Sequence, residues 1–190
     1  MRAFLLSIIT VLFVLPAFSQ FRGKAGYNLE PVEDKLDTAK HYQKVLIVAE
    51  GNMQVRMYTQ NLAQELAKYF KDQKIECKYE YLGDPAKTDV NSALETAKTW
   101  NADAIMRLVP SKSEEIMVKR VYNNNMPGPG AGLRTVLINV FNITLTDAIE
   151  LVWSAKLSAS YEGAEDSVYR RAAKGIMHDL KKQNVISGKI

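Results

Sequence analysis

Residues 123–132, NNNMPGPGAG, hold three asparagines, three glycines and two prolines, and such a run is where phosphate chemistry would be sought first. A dinucleotide fingerprint reads G-x-G-x-x-G between a strand and a helix, so that the pyrophosphate meets the helix amino-terminus. Gly128, Gly130 and Gly132 are spaced G-x-G-x-G instead, and LRTVLINVF after them reads as a strand. No lysine followed by serine or threonine closes the run, so it is not a Walker loop either. Asparagine, proline and glycine together tolerate positive φ or fix tight turns, which makes the run a connection between two strands. Long connections on a rigid sheet are also places where partners dock. Asn123, Asn124, Asn125 and Met126, with Arg134 just beyond them, are therefore the candidate binding residues.

Other chemistry finds little to build on. His41 and His178 have no Cys, His or carboxylate at zinc-ligand spacing. Neither a G-x-S-x-G elbow nor an H-E-x-x-H helix is present. Glu114 and Glu115 are adjacent on a strand, so they point to opposite faces and cannot flank one bond. Trp153 sits in an alternating apolar face and reads as core rather than as a stacking platform. Cys77 lies in IECKYEY among Ile75, Tyr79 and Tyr81, which makes it a buried, inert thiol. Asn142-Ile143-Thr144 matches a glycosylation sequon but falls in mid-strand. No catalytic residue, cofactor or metal site is expected, and the chain does not read as an enzyme.

The elements that must position the candidate loop are clearer. Val45 to Ala49 is a short apolar run, rich in β-branched residues, expected as a strand buried on both faces. Asn52 caps a helix over about 53–72, in which Val55, Tyr58, Leu62, Leu66 and Tyr69 recur at spacings of three and four. An alternating strand follows at 75–82, then a helix capped by Thr88 or Asp89 with Val90, Ala93, Leu94 and Ala97 inward. Residues 102–109 read as a strand ended by Pro110, and 115–122 as another. Residues 133–146 and 151–161 alternate about a short turn, DAIE, and form a hairpin. A last helix spans about 165–182, with Val168, Tyr169, Ala172, Ala173, Ile176, Met177 and Leu180 as its stripe. The order predicts a single α/β (α+β) domain over 44–190: a mixed sheet of about six strands, parallel first and antiparallel later, with two to three helices on one face.

Residues 1–19 have the form of a secretory signal: Arg2, an apolar run from Ala3 to Leu15, Pro16, then small Ala17 and Ser19 before the expected cut. Residues 20–43 read as an exposed leader, with a short helix after Pro31. The single cysteine lies far from the cut, so lipid attachment at a mature amino-terminal cysteine is excluded, as is an internal disulfide. The expected place is the periplasm or the exterior. A net charge of +4 with scattered lysines leaves contact with anionic lipid open. Nucleic acid is not an expected partner of an exported chain. The oligomeric state stays open.

KVLIVAEGN, the helix after it, and ETAKTWNADAIMRL resemble the β-α plan of the TolB amino-terminal domain and related small periplasmic proteins. VLINVFNITLTDAIELVWSAKLSAS with its terminal helix resembles uncharacterised bacterial envelope lipoprotein families. The resemblance implies an accessory envelope protein without catalysis and transfers no functional residues. Two functions follow. The leading one is binding of another envelope protein. The alternative is a small-molecule or glycan-fragment module using the 123–132 loop and the polar sheet face.

Overall fold

The computed structural model describes residues 27–32, 36, 38–119, 133–160 and 166–187, with the side chains of 113–119 and 133–137 left aside. The signal segment and the 123–132 loop lie outside the described residues. The elements are β1 (Tyr27–Pro31), β2 (Lys44–Glu50), α1 (Met53–Asp72), β3 (Glu76–Gly83), α2 (Val90–Lys98), β4 (Ala104–Lys119), β5 (Leu133–Asp147), β6 (Leu151–Ser160) and α3 (Asp166–Lys182). They build one mixed six-stranded sheet in the order β1-β6-β5-β4-β2-β3.

β2 is the centre of the parallel part, paired with β3 on one side and β4 on the other. Val45 to Ala49 are all fully buried, as a continuous β-branched run requires. The strand order places α1 and α2 on opposite faces. From β2 the chain crosses to β3, and from β3 it returns past β2 to β4. Right-handed crossovers in opposite directions put their helices on opposite sides. Val45, Ile47 and Ala49 accordingly pack under α1 and α3, while Leu46 and Val48 pack under α2 with Leu82, Val90 and Ala97. Two helices therefore share the expected face, and the short α2 stands alone on the other.

The helix signals hold in detail. Asn52 accepts the N–H of Val55 at 3.0 Å, and Asp89 accepts those of Asn91 and Ser92, satisfying donors that a first helical turn leaves open. Gly51, at φ +135°, makes the turn into α1, and a Cβ there would meet Val55 at 2.8 Å. Burying each of Tyr58, Leu62, Leu66 and Phe70 on α1 contributes about 1.5–3 kcal/mol. All seven stripe residues of α3 are buried, and His178 between them is exposed.

Three expectations are corrected. First, the strands read at 102–109 and 115–122 are one strand of 16 residues. Pro110 sits at a bulge, just past Leu108, where pairing with β2 ends, so its missing N–H breaks no ladder bond on that side. Second, part of the stretch read as an exposed leader is sheet: Tyr27–Pro31 pairs antiparallel with β6. Tyr27 and Leu29 pack against the main core, with the Tyr27 ring over Gly175 of α3, where a Cβ would stand 2.8 Å from the hydroxyl. The short helix read after Pro31 falls partly on residues outside the description. Third, the alternation read over 151–161 does not reach back to Leu151. A bulge opposite Leu145 and Thr146 resets the alternation, burying Val152 and leaving Leu151 57% exposed.

Candidate functional site

The loop is presented by the longest pair of strands in the sheet. β4 and β5 pair from Ala104↔Asp147 to Lys119↔Leu133 without interruption beyond the Pro110 bulge. On the β4 side the neighbour stops earlier: β2 leaves β4 at Leu108. The stretch Lys112 to Lys119, paired with Val140 to Leu133, is thus an arm running on past the end of β2. Residues 120–132 join its two strands. Asn123, Asn124, Asn125 and Met126 lie in that connection, outside the described residues, and Arg134 stands on β5 opposite Val118. The element that follows the glycines is a strand, so no helix amino-terminus stands ready for a phosphate.

Elsewhere the polar groups are tied into the scaffold. At the carboxyl ends of the parallel strands, where an open α/β sheet forms its crevice between strands connected in opposite directions, Arg107 Nη2 donates to Glu50 Oε2 at 2.6 Å. Glu50 is 8% exposed, a buried carboxylate held by its ion pair. Tyr81 beside it donates its hydroxyl to the Gly51 carbonyl, and Arg56 lies 5.0 Å over the Tyr81 ring.

At the opposite end, Lys40 donates to Asp147 Oδ2 and to Glu150 Oε1. Burial alone pushes Asp147 up, but the bond from Lys40 and the N–H groups of Glu150 and Ile149 outweigh it and hold the carboxyl below its usual value. Its two bonds, Asp147 strongest among the causes, raise Lys40. Together these fasten residues 36–43 to the hairpin turn. Leu36 N donates to Gln183 O at 3.0 Å and Asn184 Nδ2 to Leu36 O at 3.1 Å, closing the same strap over the end of α3.

The remaining candidates are structural. Trp153 is 2% exposed and donates its indole N–H to Asp179 at 2.7 Å, and Gln183 Nε2 donates to the same oxygen. The periodicity placed Trp153 in the core, but nothing in the sequence pointed to its partner 26 residues on. Burial pushes the Cys77 thiol up to about 12, so the thiolate needed for nucleophilic chemistry is scarce at neutral pH. His41 Nδ1 meets Ser187 Oγ at 3.2 Å, beside the strap. Among the described residues no three His, Cys, Asp or Glu gather as a metal site would require. What sequence reasoning missed was the arm itself, concealed by the apparent stop at Pro110, and β1, whose signal was the alternation Tyr27, Leu29, Pro31.

No protein family matches the chain, and no curated protein does. Solved structures do resemble it. A PelC dodecamer from Paraburkholderia phytofirmans is 14% identical, over 85% of this chain and 99% of that one, with a TM-score of 0.45. A minor lipoprotein from Acinetobacter baumannii is 10% identical, over 77% of this chain and 98% of that one, with a TM-score of 0.36. These are distant likenesses of strand and helix arrangement, and no function passes through them. Neither match shows a TolB-like domain. No described helix is long and apolar enough to cross a membrane.

Proposed function

We propose that this chain is an exported, non-enzymatic protein of the bacterial envelope that binds another envelope protein through the tip of the β4–β5 arm. The candidate contacts are Asn123, Asn124, Asn125, Met126 and Arg134. One observation carries the reading: β4 stays paired with β5 as far as Lys119↔Leu133, well past Leu108, where β2 leaves it. An arm that carries a long connection away from a rigid sheet is suited to reaching a partner. Export rests on residues 1–19, and mass spectrometry of the secreted form should find Gln20 at the amino-terminus; an intact Met1 would remove the premise.

The arm is tested by replacing residues 123–132 with Asn-Gly while keeping Lys119 opposite Leu133. Closure entropy changes by only ~0.6 kcal/mol per twofold change in loop length, so the variant should fold as the parent does. Site-specific photocrosslinking from position 126 in cells should trap an envelope protein that the shortened variant no longer captures by affinity. If the shortened variant keeps that interaction, the tip is only a connection. Nucleotide binding by the parent, lost on shortening, would instead restore the phosphate-loop reading.

A second reading draws on the other face of the antiparallel strands. Glu30, Lys156 and Asn142 stand side by side across β1, β6 and β5, all exposed, with no described helix over them. That row suits a glycan fragment or small polar ligand. A thermal-shift screen separates the two: stabilisation by a glycan, abolished by Lys156→Ala and Asn142→Ala, favours the face over the arm.

A further inference from the structure

Where α2 ends and β4 begins, the molecule holds a cavity of about 390 Å³, a size that suits a small ligand. α2 packs on Leu46, Val48 and Leu82, over β2 and β3, and leaves the start of the β4–β5 pair beside it without a described helix. Asn101, in the left-handed region at φ +53°, then turns the chain back toward β4. The cavity opens in that corner. Ile105 and Thr146, a cross-strand pair, line it together with Ala102 and Ala148.

Among the described residues, three charged side chains line the cavity: Lys98, Asp103 and Asp147. Two of them are already matched. Lys98 donates to Glu95 at 2.7 Å, and Asp147 accepts from Lys40. Asp103 has no ion-pair partner among the described residues. Its Oδ2 accepts the backbone N–H of Gln43 at 2.6 Å and that of Lys44 at 2.8 Å, which leaves Oδ1 open. Those two bonds hold the carboxylate in place, so a ligand that meets it need not order it first. The carboxyl end of α2 brings the negative end of the helix dipole to the same wall, which favours a cation.

We infer that the cavity binds a small organic ammonium ion, with its charge on the open oxygen of Asp103 and its carbon chain over Ala102, Ile105 and Ala148. The chemistry separates this ion from its rivals. A guanidinium makes its strongest contact as a fork on both carboxylate oxygens, and Oδ2 is taken. A divalent metal needs several oxygen ligands, and Asp147 is committed to Lys40. An anion would meet two carboxylates against one lysine.

The inference goes beyond the envelope-partner reading and shares no residue with the arm tip or with the Glu30–Lys156–Asn142 row, so the failure of either leaves this one standing. Amide NMR of the mature chain, with butylamine as probe, should show saturable shifts at Asn101, Asp103, Ile105 and Thr146, with a dissociation constant in about the millimolar range. Butanol and butyrate, which carry a similar chain without the ammonium, should give none. Asp103→Asn keeps an oxygen for the two N–H groups but removes the charge, and should weaken binding roughly tenfold or more. Ala148→Phe, at an exposed turn position, leaves Asp103 untouched and fills the cavity, and should weaken binding as much. Putrescine and an acetylated, amidated lysine distinguish a free amine from the lysine side chain of a peptide, and binding of either supports the inference. Butanol shifting the same amides as strongly as butylamine, no saturable shift with any amine, or binding unchanged in Asp103→Asn would each overturn it.

Discussion

The two halves of this sheet solve burial differently. In the parallel half, β3, β2 and the start of β4, helices cover both faces, and β2 has no exposed residue from Val45 to Glu50. In the antiparallel half, α3 and α1 cover one face, and among the described residues no helix covers the other, a floor of Asn142, Thr144, Ser154, Lys156 and Ser158. The difference teaches where the molecule has latitude. A substitution on the α2 side of the sheet should be severe in one half and nearly neutral in the other, at comparable depth along the strands.

The largest effect is expected where the antiparallel half meets its helix. Trp153→Ala removes the largest fully buried side chain and leaves Asp179 without the indole N–H, and should cost about 3–5 kcal/mol in urea unfolding. A loss below about 1 kcal/mol would mean that the face is not a packed core. Next, Leu46→Ala, under α2, should cost about 2–5 kcal/mol. If it costs less than about 1 kcal/mol, α2 is not a true second layer and the contrast between halves fails.

A smaller effect belongs to the strap that ties the two halves at one end. Asp147 is held below its usual 3.8 in the folded chain, so its contribution is present above that value and is lost as pH falls through the folded one. Asp147→Asn should lower stability at neutral pH and flatten the stability profile below about pH 4. An unchanged acid limb in the variant would show that Lys40 and Asp147 do not fasten the strap. The smallest effect is expected on the bare floor: Asn142→Ser and Lys156→Ala should each change stability by no more than about 0.5 kcal/mol. A loss above about 1 kcal/mol at either would show that something covers the floor in solution.

Much of the fold was legible because local chemistry forced it. The caps at Asn52 and Asp89, the stripe of α3 and the alternation of β5 each report an interaction within one element or its immediate face. The arm was not legible, because Pro110 looks like a stop when only its neighbours in sequence are known. It is tolerated only because β2 ends at Glu50, and that is a fact of strand order. The candidate loop was found from composition, yet what presents it, a pair of strands that runs on past the end of β2, depends on strand order.

The sequence by itself determined most of the elements and the placement of Trp153 in the core, since propensity and periodicity are local. Tertiary structure decided the rest. The return of β4 past β2 put α2 on the opposite face, through the handedness of crossovers. The docking of Tyr27 against Gly175 made a strand of residues that carry too little apolar surface to order themselves. Pairing between residues more than a hundred positions apart, such as Lys40 with Asp147, has no local signature, because the entropy of closing so long a loop is offset only when the whole core forms at once.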